Sequence, residues 1–149
     1  MIDIVDKATR SRMMAGIKRR DTKPEMLLRQ ALHARGLRYR LHTKLLPGRP
    51  DLIFGKYHAV VFVHGCFWHR HAGCRYCTTP KSNPEFWESK FAGNVSRDAA
   101  VAYNLLRAGW RVGIVWECAL RGDSKVEAAV ASVHSWLLSG SSTIELGDA

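Results

Sequence analysis

Pro47-Gly-Arg-Pro50-Asp51-Leu-Ile-Phe54-Gly-Lys-Tyr57-His-Ala-Val-Val-Phe-Val63-His64 is the stretch on which the fold turns. Each proline locks its own φ and pushes the residue before it toward extended backbone, so Pro47-Gly-Arg-Pro50 reads as a rigid turn. Asp51 to Phe54 is then a short strand, and Gly55-Lys56 is a tight connection. Tyr57 to Val63 is a second strand whose continuous apolar run calls for cover on both faces. A strand buried on both faces needs a layer of helix above and below it. The expectation is an α/β domain, a mixed sheet flanked by helices.

Upstream, Leu37, Tyr39 and Leu41 alternate with Arg38, Arg40 and His42, the pattern of a half-buried strand with a basic outer face. Before it, Thr22-Lys-Pro24-Glu25 opens a helix. Thr22 suits the N-cap, Pro24 lies in the first turn, and Glu25 completes a capping box. Leu28, Ala31, Leu32 and Arg35 continue one face, and Gly36 ends it. Residues 1–21 alternate charge with Met13, Met14 and Ile17 and read as a basic arm that orders on contact with a partner. Downstream, residues 64–83 show no regular pattern. Asn83-Pro84 opens a helical region running to Ala108-Gly109, with a break expected near Gly93-Asn94. Trp110 to Trp116 is a further buried strand, and Ser124 to Leu138 is a closing amphipathic helix. Residues 22–138 thus form one domain, and 139–149, which begins Ser/Gly-rich, is a flexible tail.

A chain of 149 residues with 46% hydrophobic and 24% charged side chains fits one globular domain and excludes wholesale disorder. Apolar runs such as Ala59 to Val63 fall far short of the ~18 residues of a membrane helix. The acidic start Met1-Ile-Asp-Ile-Val-Asp6 is unlike a secretory signal, so an intracellular, soluble protein is expected. The net charge of +10 is uneven: residues 1–49 carry 13 basic and 4 acidic side chains, whereas 50–149 carry 10 and 9. One strongly positive surface is the usual footprint for a polyanion, and nucleic acid is the favoured partner.

Four cysteines in an intracellular chain seldom form structural disulfides. Cys66, Cys74 and Cys77 crowd together with His64, His69 and His71, and Cys118 lies far downstream. That density of soft ligands reads as a zinc site. If Cys66, Cys74 and Cys118 fill three tetrahedral positions, one histidine completes the set and the others stay free for proton transfer near neutral pH. Cys74-Arg-Tyr-Cys77 is also a CxxC, so Cys66, Cys74, Cys77 and Cys118 form a chemically sound alternative. Asp51, at a strand end, points where a divalent ion could sit, although Asp is also common in turns and a structural role is the alternative. Mg²⁺ favours one or two carboxylates with waters and phosphate oxygens. Glu25 needs no reason beyond its cap. Phe67-Trp68 in a loop either packs on the core or inserts into something, and aromatic wedges between base pairs are a known use. Trp110, Trp116 and Trp136 read as core.

Pro47-Gly-Arg-Pro-Asp51, Val63-His-Gly-Cys-Phe-Trp-His69, Pro84-Glu-Phe-Trp87, Asn94-Val-Ser-Arg-Asp98 and Gly109-Trp-Arg-Val112 leading to Val115-Trp-Glu-Cys118 together resemble the very short patch repair (Vsr) DNA mismatch endonucleases, as does Asp6-Lys-Ala-Thr-Arg-Ser11 with Met14. The resemblance spans roughly residues 3–122. It implies a restriction-endonuclease-like (PD-(D/E)XK-related) fold with a structural zinc site. It also implies Mg²⁺-dependent nicking on the 5′ side of the thymine in a T·G mismatch left by 5-methylcytosine deamination. On this resemblance Asp51 and the Val63 carbonyl hold Mg²⁺. His69, supported by Glu25, activates or orients the attacking water, and His64 assists at the phosphate. Cys66, His71, Cys74 and Cys118 bind Zn²⁺, while Met14, Phe67, Trp68 and Trp87 insert beside the mismatch. Val63 stands where the family pattern has Thr, which a main-chain ligand tolerates, and the zinc loop is one residue longer at His71-Ala-Gly-Cys74. The implied partner is double-stranded DNA, with other mismatch-repair proteins besides, for a monomer in the bacterial cytoplasm at the nucleoid.

Two rival readings remain at this level: a non-catalytic zinc DNA-binding module, and a homing or restriction-type nuclease with another target. A zinc base deaminase would need a His-x-Glu proton shuttle, which does not occur in the chain.

Overall fold

The computed structural model describes residues 21–148. The expected arm over 1–21 therefore lies outside the described residues, apart from Asp21, as does Met14. Helix α1 spans Lys23–Ala34, followed by β1 (Arg40–Leu41), β2 (Leu52–Phe54), β3 (Ala59–His64), α2 (Pro84–Arg107), β4 (Arg111–Trp116), α3 (Asp123–Leu138) and β5 (Thr143–Leu146). The five strands form one mixed sheet in the order β1-β2-β3-β4-β5. β1 to β3 pair antiparallel, whereas β4 runs parallel to β3 and β5 parallel to β4.

The apolar run of β3 is buried on both faces, as its composition demands, and its period-two alternation sorts it between two cores. Ala59, Val61 and Val63 join Leu28 and Leu32 of α1 and Val130, Val133 and Leu137 of α3 on one face. Val60 and Phe62 meet Leu105 of α2 and Val112 on the other. His64 continues the second series and so lies on the α2 side, its ring 5.7 Å from that of Phe62. At the start of α1, Thr22 Oγ1 accepts the Glu25 N–H at 3.4 Å, the first half of the capping box. The return bond goes one residue further back than the motif requires, from the Asp21 N–H to Glu25 Oε1 at 3.0 Å.

Three expectations need correction. The alternating stretch from Leu37 yields only the two-residue β1: Leu37 is buried and Tyr39 half-buried, but Leu41 is exposed because the chain turns at His42, whose φ is +47°. α2 continues without a break through Gly93-Asn94; a helical glycine costs only about 1 kcal/mol, and buried Phe91 and Leu105 anchor the helix on either side. Within the stretch expected as a flexible tail, Thr143–Leu146 forms the fifth strand. β5 pairs through Val112↔Thr143 to Val115↔Leu146 and packs Ile144 and Leu146 on the main core. Its paired backbone supplies a stability that the Ser/Gly-rich composition before it conceals.

Candidate active site and metal centre

The antiparallel register Leu52↔Val61 carries Asp51 alongside the end of β3, where its Oδ2 accepts the Val63 N–H at 2.7 Å. Burial pushes the Asp51 carboxyl up to about 7, against the Val63 N–H, which pulls it down; the nearby Glu25 carboxylate adds to the rise. Glu25 is itself 1% exposed. Its Oε2 lies 2.9 Å from Arg29 Nη1 and 2.7 Å from His42 Nε2. The same His42 Nε2 is 3.9 Å from Asp51 Oδ1, and the His42 N–H donates to the Asp51 carbonyl at 3.4 Å. His42, read from sequence only as an outer strand position, thus ties the two carboxylates together. Arg29 was legible, since it follows Glu25 by four residues on a helix, the spacing that brings two side chains onto one face.

One residue after Val63, His64 ends β3 and stacks on His69, ring centroids 3.9 Å apart and planes 5° from parallel. His69 Nδ1 lies 2.7 Å from Asp98 Oδ2 on α2. The carboxylate that orients His69 is therefore Asp98. Glu25, expected in that role, is engaged by Arg29 and His42 instead. Burial first, then the neighbouring His69, together lower His64 to about 3 against the opposing pull of Asp98, so His64 is neutral at pH 7. The signal for Asp98 was in the sequence: Asn94 and Asp98 are one helical turn apart. They bind consecutive loop residues, Asn94 Nδ2 donating to the Trp68 carbonyl at 2.9 Å.

Cys66, His71, Cys74 and Cys118 converge with every ligand atom within 4.8 Å of the others, all four residues buried. His71 Nδ1 lies 3.6 Å from Cys66 Sγ and 3.4 Å from Cys118 Sγ. Three thiols and an imidazole form a donor set suited to a tetrahedral soft-ligand ion. Cys77 is half-buried and outside this group, so the structure gathers His71 rather than the CxxC pair. Burial pushes the Cys66 thiol up; a cation among these donors would reverse that preference. Glu117 supports the site by accepting the Cys66 N–H at 3.1 Å. Two other groups among the described residues could also hold an ion, His64-His69-Asp98 and Asp21-Glu25-His42.

Phe67, Trp68 and Trp87 form a half-buried aromatic cluster beside the histidines, with Phe67 5.7 Å and Trp68 6.0 Å from Trp87 between ring centroids. Phe91 closes its inner side, 5.2 Å from Phe67. Arg70, which the sequence did not single out, braces the loop. It lies 3.9 Å over the Phe91 ring and donates to the carbonyls of Phe67 at 3.2 Å and Thr78 at 2.8 Å.

The arrangement brings together a buried carboxylate, a stacked histidine pair with its own carboxylate, a Cys/His cluster that could hold a metal ion and an aromatic face. Residues 2–75 match the family model described as DNA mismatch endonuclease Vsr. The chain is 45% identical over 139 residues to the DNA mismatch endonuclease Vsr of Escherichia coli, covering 92% of this chain and 88% of that one. It is 41% identical over 133 residues to the type II nicking enzyme V.XorIIP of Xanthomonas oryzae, covering 89% and 97%. With the type II nicking enzyme V.NmeAIP of Neisseria meningitidis it shares 43% over 124 residues, 83% and 88%. At that identity, carried across nearly the whole of each chain, the protein belongs to the DNA mismatch endonuclease Vsr family.

Proposed function

We propose that this DNA endonuclease nicks duplex DNA on the 5′ side of the thymine in a T·G mismatch left by 5-methylcytosine deamination, with Mg²⁺ as its catalytic ion. The observation that carries the reading is Asp51 bound to the Val63 N–H, one residue from the stacked His64 and His69 with Asp98 behind them. In an extended strand the N–H and C=O of one residue face the same edge, so the Val63 carbonyl shares its side with Asp51. Those two oxygens fit a hard cation, which would polarise the phosphoryl oxygens and stabilise the leaving oxyanion when bound.

The protein's own groups do the rest. Asp98 accepts the Nδ1 proton of His69 and leaves Nε2 to take a proton from the attacking water. The His69 and Asp98 side chains are 32% and 29% exposed, so water reaches them. His64, neutral and flat against His69, offers a hydrogen bond at the phosphate without adding charge. Glu25, fixed by Arg29 and His42, holds the surroundings of Asp51 rather than the water. Cys66, His71, Cys74 and Cys118 would hold Zn²⁺, whose contribution is rigidity in the loop that presents the histidines. Phe67, Trp68 and Trp87, with Met14 from the amino-terminal arm, would insert at the mispaired step, where unstacking costs a few kcal/mol. The framework is a restriction-endonuclease-like fold acting as a monomer at the bacterial nucleoid, alongside other mismatch-repair proteins. No helix among the described residues is long and apolar enough to cross a membrane.

End-labelled duplexes differing only in T·G against T·A test this with and without Mg²⁺. Nicking is expected on the T·G strand alone, requires the cation, and is lost in Asp51→Ala while binding persists. Equal cleavage of both duplexes favours a restriction-type target instead.

A further inference from the structure

The segment that closes the sheet does more than pair with β4. Its far end reaches the metal-ligating cluster: the Asp148 N–H donates to Cys118 Sγ at 3.1 Å. Gly147 passes so near His71 that a Cβ there would lie 2.5 Å from its Cε1 and 2.7 Å from its Nε2. Glu145 Oε2 accepts Trp116 Nε1–H at 2.9 Å. Trp116 in turn lies between the two sites. It stacks on His71 at 4.3 Å between centroids, 7° from parallel, and meets the edge of His64 at 5.3 Å.

We propose that Glu145, Gly147 and Asp148 are positioning residues of the metal centre and, through Trp116, of His64. Asp148 supplies a main-chain donor to the Cys118 sulfur, Gly147 leaves His71 its room, and Glu145 sets the indole that both imidazoles rest on. Two features make this specific. A thiolate bound to a cation accepts a hydrogen bond far better than a neutral thiol, so the Asp148 bond and metal loading strengthen each other. The Asp148 carboxylate, meanwhile, pairs with Lys125 on α3, away from the sulfur, so the side chain and the main chain of this residue have separable roles. Partners of this kind alter metal affinity about 10–100-fold when removed.

The inference rests on the reading that Cys66, His71, Cys74 and Cys118 bind a metal, and the test separates the two. The full chain is loaded with Zn²⁺ or Co²⁺ alone, and metal transfer to a competing chromophoric chelator is followed. Asp148→Pro, which lacks the N–H, is expected to lose metal affinity about tenfold and to move the cobalt–thiolate charge-transfer band to lower energy. Asp148→Ala, which keeps the N–H, is expected to match the parent in both. Gly147→Ala is expected to weaken binding independently by crowding His71. Metal affinity and a band unchanged in both Asp148→Pro and Gly147→Ala overturn the inference while leaving the metal reading intact. No uptake by the parent chain overturns the metal reading, and the inference with it.

Discussion

Asn94 and Asp98 show how one helical turn can fix two consecutive loop residues at once, since α2 holds the Trp68 carbonyl with the first and the His69 ring with the second. His69→Ala is expected to lower single-turnover nicking by ~10²-fold or more with DNA affinity intact. Asp98→Asn should cost a similar ~10²-fold, because an amide that donates to Nδ1 moves the imidazole proton to Nε2 and removes the base. Asp51 has a pH signature. Burial and the Glu25 charge hold its carboxyl at about 7, so below that pH an incoming cation must displace a proton. Apparent Mg²⁺ affinity should fall by up to about tenfold per pH unit below 7 and level off above it. Calorimetry in buffers of different ionisation enthalpy would count close to one proton released at pH 6 and close to none at pH 8.5. In the metal-free protein the sign for stability follows the raised value. Relative to an unfolded carboxyl near ~3.9, the contribution is present below that pH and lost as pH rises through 7. Asp51→Asn should therefore gain more stability over the parent at pH 8 than at pH 4 in denaturant titrations.

Among the elements, α1 and α3 share one face of the sheet while α2 covers the other, and the division decides which substitutions are costly. Leu28 on α1 is fully buried against that shared core, so Leu28→Ala is expected to cost about 2–5 kcal/mol by urea unfolding. The loop from His64 to Asn83 belongs to neither of these cores and packs through Cys66 and Cys74 on Trp116 and Ile114 of β4. Its order comes from the convergence of Cys66, His71, Cys74 and Cys118, from Arg70 and from the aromatic cluster, so it can be rigid without being regular. Trp68 belongs to that cluster: its carbonyl is held by Asn94 and its half-buried ring packs against Phe67 and Trp87. In competition titrations Trp68→Ala should weaken discrimination of T·G from T·A more than it weakens overall DNA binding. The same affinity change on both duplexes would assign the ring to packing alone.

Across the whole molecule, charge and architecture divide the labour. Residues 1–49 carry 13 basic and 4 acidic side chains, while the remaining 100 residues are nearly balanced and carry the His64–His69 pair, the cysteines and the aromatic face. Association driven by that basic portion should make log K fall linearly with log salt, at a slope of ~−0.9 for each phosphate neutralised. Filter-binding or anisotropy titrations between low and physiological salt would measure it, and a flat response would remove the electrostatic account. Trp116 touches both His64 and His71, so the Cys/His cluster and the histidine pair share one packed ring.

Local chemistry made much of this legible from the chain alone. The apolar run of β3, the prolines before Asp51, the cap at Thr22 and the crowding of Cys66, His71 and Cys74 each carry their meaning within a few residues, because periodicity, φ restriction and ligand type act over that range. The partner of His69, the bridging place of His42 and the pairing of β5 did not emerge that way. Asp98 is 29 residues from His69, and His42 is 17 from Glu25. Thr143 finds Val112 only across the finished sheet. Which of several carboxylates meets a given imidazole, and whether a polar segment becomes a strand, depends on which backbone edges and helix faces the packed cores bring together. Tertiary structure decided those.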